Sequence, residues 1–306
     1  MNPITLDSWN YLSEFIEHDK DKYHLMITCK EIYECRFFFH ELIDIGKIEH
    51  HSRFDYFTNV FIHYADAKLP LFVTSIKLGH YYQILFLSIP SSVKYLDLGI
   101  YPNSSTYMYF PSSITHLNLG YFFNKPINNY IPYSVTHLTL SESFNQSIYG
   151  CIPSSVTHLT FGDSFNKSID GCIPSSVTHL TFGENFNGEI ENGIPYSVTH
   201  LTFGEYFNRE IINGIPSSVT HLVFGKHFNK IIFGQIPSSV VELSLGKNFT
   251  KSIKNCIPSS VTRLNLQRKY KKSEMRSIPV SVREIYIINK LIRRENLDFA
   301  IHSNRY

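Results

Sequence analysis

The chain has 306 residues, 43% of them hydrophobic, and a formal net charge of +2. That length holds one or two domains with a real core, and the near-neutral balance gives no bulk attraction to nucleic acid or to an acidic membrane. The most apolar stretches, such as YYQILFLSI at 81–89, are too short to span a bilayer. The opening MNPITLDSWN lacks the basic and apolar regions of a signal peptide, and five cysteines make a poor disulfide framework. An intracellular, cytoplasmic protein is expected.

Residues 1–45 read as a small α-helical segment. Trp9, Leu12, Phe15 and Ile16 fall on one helical face, and Leu25, Met26, Cys29, Ile32 and Tyr33 on a second, with the charged turn HDKDK between them. These residues resemble an F-box. Leu12, Phe15 and Ile16 match its first helix, and Leu25, Thr28, Cys29 and Lys30 its second. Ile4-Thr5-Leu6 stands where that family opens with Leu-Pro. The resemblance implies that Leu12, Phe15, Ile16, Leu25, Cys29 and Lys30 dock on the Skp-type adaptor of a cullin ubiquitin ligase. The alternative is a helical cap that seals the first turn of a C-terminal repeat array.

Residues 46–88 read as a linker with degenerate repeats, FDYFTNVF at 54–61 and LPLFVTSIKLG at 69–79. From residue 89 to 288 a proline recurs every 21 residues, ten times from Pro90 to Pro279. A fixed period in the twenties is the signature of a solenoid. Three residues after each proline stands a valine (Ile114 once), six after it a leucine (Ile285 in the last turn), and eight after it Leu, Phe or Ile. This L-x-x-L-x-L spacing predicts a leucine-rich-repeat-like parallel β-sheet of 21-residue turns, one strand per turn. Strands ~4.8 Å apart would make ten turns a sheet roughly 48 Å long. Phe123, Phe144, Phe165, Phe186, Phe207 and Phe228 each precede an asparagine, and an isoleucine stands four residues after each Phe. The apolar pair should fill the back of the core, and the stacked asparagines should satisfy backbone groups of adjacent turns. Each proline is expected to open a strand, the serine two residues later to bond its own turn, and Gly162, Gly183, Gly204 and Gly225 to take positive φ.

The Phe-Asn and Ile-Pro pairs resemble the FNIP repeat, a relative of leucine-rich repeats. Pro102-Asn103, Phe249-Thr250 and Tyr270-Lys271 depart from Phe-Asn, so the first turn and the last two are expected to have altered loops. Residues 289–306 read as a polar cap in which Leu291, Ile292, Leu297 and Phe299 cover the last turn.

A histidine stands five residues after six prolines: His116, His137, His158, His179, His200 and His221. Alternation points this column out of the sheet beside Thr139, Thr160, Thr181 and Thr202, on what leucine-rich-repeat geometry makes the concave face. This is the expected target-binding face; plain duplication of the unit, His included, explains the column equally. A straight ladder offers about two imidazoles to an ion where a structural zinc takes four ligands, so no metal is expected. Cys151 and Cys172 are near enough in the repeat to bridge but are expected as free thiols, with Cys256 in the same column. RLNLQRKYKKSEMR at 263–276 is basic, a pattern that suits a nucleic-acid contact or a nuclear address, but a solvated loop at the solenoid end is expected, not a nucleic-acid partner. Glu184 and Glu205 read as solvated. No nucleophile elbow, phosphate-binding glycine loop or H-E-x-x-H occurs, so neither catalysis nor a cofactor is expected. The resemblances together imply an adaptor that recruits an unknown target protein to a ubiquitin ligase; a scaffold unrelated to ubiquitin is the alternative.

Overall fold

The structure, a computed structural model, describes residues 43–47, 58–62, 68–79, 89–100 and 109–297. The chain forms two compact units that divide between His116 and Leu117.

In the first unit β1 (Ile43–Asp44), β2 (Asn59–Ile62), β3 (Ser75–Leu78) and β4 (Tyr95–Asp97) pair in parallel. The register sets Ile43 beside Val60, Val60 beside Ile76 and Ile76 beside Leu96, so successive turns take 17, 16 and 20 residues. β1 corrects the helical reading at the end of the segment 1–45; residues 1–42 lie outside the described residues. A strand forms there because Ile43 has a partner in register, which a helical-face pattern does not reveal.

β5 (His116–Asn118) lies at the division. In the second unit β6 (His137–Thr139), β7 (His158–Thr160), β8 (His179–Thr181), β9 (His200–Thr202), β10 (His221–Val223), β11 (Glu242–Leu245), β12 (Arg263–Leu266) and β13 (Glu284–Ile287) are parallel. Their central residues, Leu138 to Ile285, pair one 21-residue step at a time. The result is a leucine-rich-repeat-like parallel β-solenoid.

The core is the stack of apolar columns. Val156, Val177 and Val198 are 0% exposed, and Phe165, Phe186 and Phe207 behind them likewise. Phe rings repeat along the axis, Phe182 to Phe203 at 5.6 Å and Phe186 to Phe207 at 6.1 Å, and pair within a turn, Phe203 to Phe207 at 4.0 Å. Each such burial contributes about 1.5–3 kcal/mol.

The turns are cross-linked by polar side chains that reach one turn back. Asn145 N–H donates to Asn124 Oδ1 at 2.9 Å, and the ladder continues through Asn166, Asn187, Asn208 and Asn229 to the N–H of Thr250. Ser155 Oγ donates to the Val135 carbonyl at 2.7 Å, and Ser176, Ser197, Ser218, Ser239 and Ser260 repeat this bond. These serines therefore bond the preceding turn rather than their own. The proline does not open the strand. It begins a β-turn in which the valine N–H donates to the proline carbonyl, as Val156 does to Pro153 at 3.1 Å, and the strand starts two residues later.

Gly162, Gly183, Gly204 and Gly225 do not take positive φ, which in this column belongs to Gly99 and Gly120. A Cβ on Gly204 would lie 1.8 Å from the carbonyl oxygen of Gly183, so the position is glycine because two backbones touch. A left-handed position recurs three residues before each proline from Pro132 to Pro258: Asn129, Gly150, Gly171, Asn192, Asn213, Gly234 and Asn255 all have φ between 51° and 68°. The column escapes a search for a single repeated residue type. Its signal is the restriction to Gly and Asn, the residues that tolerate that region.

The C-terminal cap is a hairpin. β14 (Lys290–Arg293) runs antiparallel to β13 through a tight turn at Ile288 and Asn289, both at positive φ. Ile292 and Leu297 are buried, but Leu291 is 43% exposed, because an antiparallel strand sends alternate side chains outward. Phe299 lies outside the described residues.

Candidate functional site

The outward columns of β6–β10 form one face. The rings of His137, His158, His179, His200 and His221 stack at 4.1 Å, within 10–13° of parallel. The spacing arises from the parallel ladder, which puts like residues side by side. The threonine before each histidine orients it. Thr136 Oγ1 lies 2.9 Å from His137 Nδ1, and the same pairing recurs at His158, His179, His200 and His221. Those hydroxyls also reach the carbonyl one turn back, as Thr157 does to Thr136 at 3.2 Å. Thr139, Thr160, Thr181 and Thr202 pair in register beside the imidazoles and are half-buried. In the first unit Thr115 Oγ1 lies 2.9 Å from His116 Nδ1 in the same way, and the His116 ring lies 4.2 Å from that of Tyr95.

Burial lowers the pKa of His179 and of His200, and repulsion between ladder imidazoles lowers both further. The two imidazoles His179 and His200 therefore resist protonation. Near-parallel rings aim their nitrogens in the same direction, so neighbours do not converge on one ion. Among the described residues no group of three or more His, Cys, Asp or Glu is arranged to hold a metal.

Beyond His221 the column changes character. His221 Nε2 is 3.6 Å from Glu242 Oε1, and Arg263 bridges Glu242 at 2.6 Å and Glu284 at 2.8 Å. A depression of 490 Å³ lies over this stretch, lined in part by His200, His221, Val223, Arg263 and Tyr286.

Several other candidates take definite places. Cys151, Cys172 and Cys256 are free thiols, each against carbonyls of its own turn, and burial raises the pKa of all three. Glu205 is not merely solvated: it accepts a 2.6 Å hydrogen bond from Lys226, which lowers its pKa. The basic stretch 263–276 is more than a loop, since it contains β12 and a one-turn helix α1 (Lys272–Met275). Tyr270 occupies the Phe slot of that turn with its hydroxyl on the Phe249 carbonyl, and Arg268 lies over its ring. Phe249 and Thr250 keep the ordinary arrangement, so only the Tyr270 turn of the last two is altered. The F-box-like positions Leu12, Phe15, Ile16, Leu25, Cys29 and Lys30 lie outside the described residues. Among the described residues no helix is long and apolar enough to cross a membrane.

The chain is similar to CroV588, whose crystal structure is described as a novel circular LRR protein structure, with 34% identity and a TM-score of 0.63. The match covers 76% of this chain and 37% of that one. No curated protein matches. The FNIP Repeat family matches residues 66–101, 108–143, 144–185, 165–206, 186–215 and 207–248. With its stacked Phe-Asn and Ile-Pro turns, the chain belongs to the FNIP repeat family.

Proposed function

We propose that the chain is a protein-interaction adaptor that holds a target protein along the His/Thr face, and that its N-terminal residues join it to an SCF-type ubiquitin ligase. The observation that supports the first part is the outward face itself, regular over five strands and built from side chains that the core does not use. Solenoids commonly act through such extended surfaces. The ligase part rests on the F-box resemblance of Leu12, Phe15, Ile16, Leu25, Cys29 and Lys30. In this reading the chain catalyses nothing, needs no cofactor, and acts in the cytoplasm by raising the effective concentration of target at the ligase.

A second reading, a scaffold whose N-terminus only caps the solenoid, is favoured by the parallel ladder beginning as early as Ile43. A pull-down with the Skp-type adaptor separates the two. The full chain should retain the adaptor, and the Leu12→Asp, Phe15→Asp double variant should lose it while keeping its circular dichroism. No retention by either protein removes the ligase and leaves the scaffold.

A further inference from the structure

The net charge of +2 conceals a separation along the second unit. Residues 132–215 carry eight Asp and Glu against two Lys and Arg, whereas 216–297 carry four against fifteen. The separation is sharpest in one column, ten residues after each proline, just beyond the C-terminal ends of the strands. It reads Glu142, Asp163, Glu184, Glu205 and then Lys226, Lys247, Arg268.

The column is ordered. Glu142 accepts the N–H of Asp163, and Asp163 accepts the N–H of Glu184, so the carboxylates are held in line. Where the signs meet, they pair within the chain: Lys226 with Glu205 at 2.6 Å, and beside them Lys230 with Glu210 at 3.5 Å. Side chains thus reach one turn. Glu184 and Lys247 are three turns apart, roughly 14 Å at strand spacing, beyond reach of each other in one molecule. Both are exposed.

We propose that this edge binds a second copy of the chain, the two related by a two-fold axis that passes between Glu205 and Lys226. A two-fold axis reverses the column, so each acidic half meets a basic half. Glu205 of one copy faces Lys226 of the other, Glu184 faces Lys247, and Asp163 faces Arg268, each pair occurring twice. Glu189 and Glu191 lie in the turn that would face Lys251 and Lys254. The partner is the second copy because a single molecule carries both complementary halves, in one column at one spacing. Exposed ion pairs are individually weak and screened by salt, so the association is reversible and salt-sensitive.

Sedimentation velocity on the full chain tests it, at about 50 mM and about 500 mM salt, where screening lengths differ severalfold. The chain should dimerise with concentration at low salt and be monomeric at high salt. Glu184→Lys alone and Lys247→Glu alone should each remain monomeric, since each puts like charges together twice. An equimolar mixture of the two variants should dimerise again, because every 184–247 contact then joins opposite charges. Both sites are exposed, so the fold is not at stake, and circular dichroism confirms it. A wild type that stays monomeric at low salt overturns the proposal, as do single variants that dimerise like wild type or a mixture that stays monomeric.

Discussion

Strands β6–β10 and β11–β13 share one backbone and differ in what they show to solvent. Leu201 and Leu264 are equally buried, and Phe207 and Phe249 are both 0% exposed. Yet the outward column is imidazole on imidazole in the first stretch and Glu–Arg–Glu in the second. The ladder therefore depends on the inward columns and on the backbone links between turns. The outward columns are free to vary, and that is where a binding face can be written.

The largest effect that tests this separation is in the core. Phe186→Ala should destabilise the second unit by about 3–5 kcal/mol, the cost of removing a buried aromatic from a stack that cannot collapse around the cavity. Chemical denaturation measures it; a change as small as that of an outward substitution would break the comparison.

Acid should have a smaller effect, confined to the imidazole stretch. The folded pKa of His179 and His200 lies below the ordinary histidine value of 6.5. As pH falls through that value, the unfolded chain takes up protons that the folded chain resists, so stability falls and levels off once the folded pKa is passed. The melting midpoint should be lower at pH 5.5 than at 7.5. A His179→Phe, His200→Phe variant, which keeps flat rings in the stack, should narrow the gap; an equal gap in the variant would assign the effect elsewhere.

The smallest effect should come from the ion ladder. Arg263 is 48% exposed, so Arg263→Ala should shift the melting midpoint only marginally, and high salt should erase the shift. A large, salt-resistant loss would mean that the two stretches are held together by different means.

Much of this arrangement was legible in the chain. The Val, Leu and Phe columns implied parallel strands, and one amide per turn implied the asparagine ladder. The direction of the serine bonds was not legible, because a hydroxyl reaches its own turn and the next one with equal ease. The glycines after the strands misled for a related reason. Sequence shows that a side chain is absent, and only the carbonyl one turn back shows why. The Gly/Asn column before the prolines was readable but hidden by its mixture of two residue types. Of the candidate site, the histidine and threonine columns were visible, but their 4.1 Å stacking and the threonine bonds to Nδ1 were not.

Sequence alone determined the period, the inward columns and the outward position of the histidines, because these derive from the alternation of side chains along each strand. Tertiary structure decided everything that depends on what lies one turn away. That includes which carbonyl the serines from Ser155 to Ser260 meet, where a Cβ has no room, how Ile43 joins the ladder, and which acids and bases lie within one turn of each other. The physical reason is the 21-residue separation in the chain, which the fold reduces to a single strand spacing of ~4.8 Å.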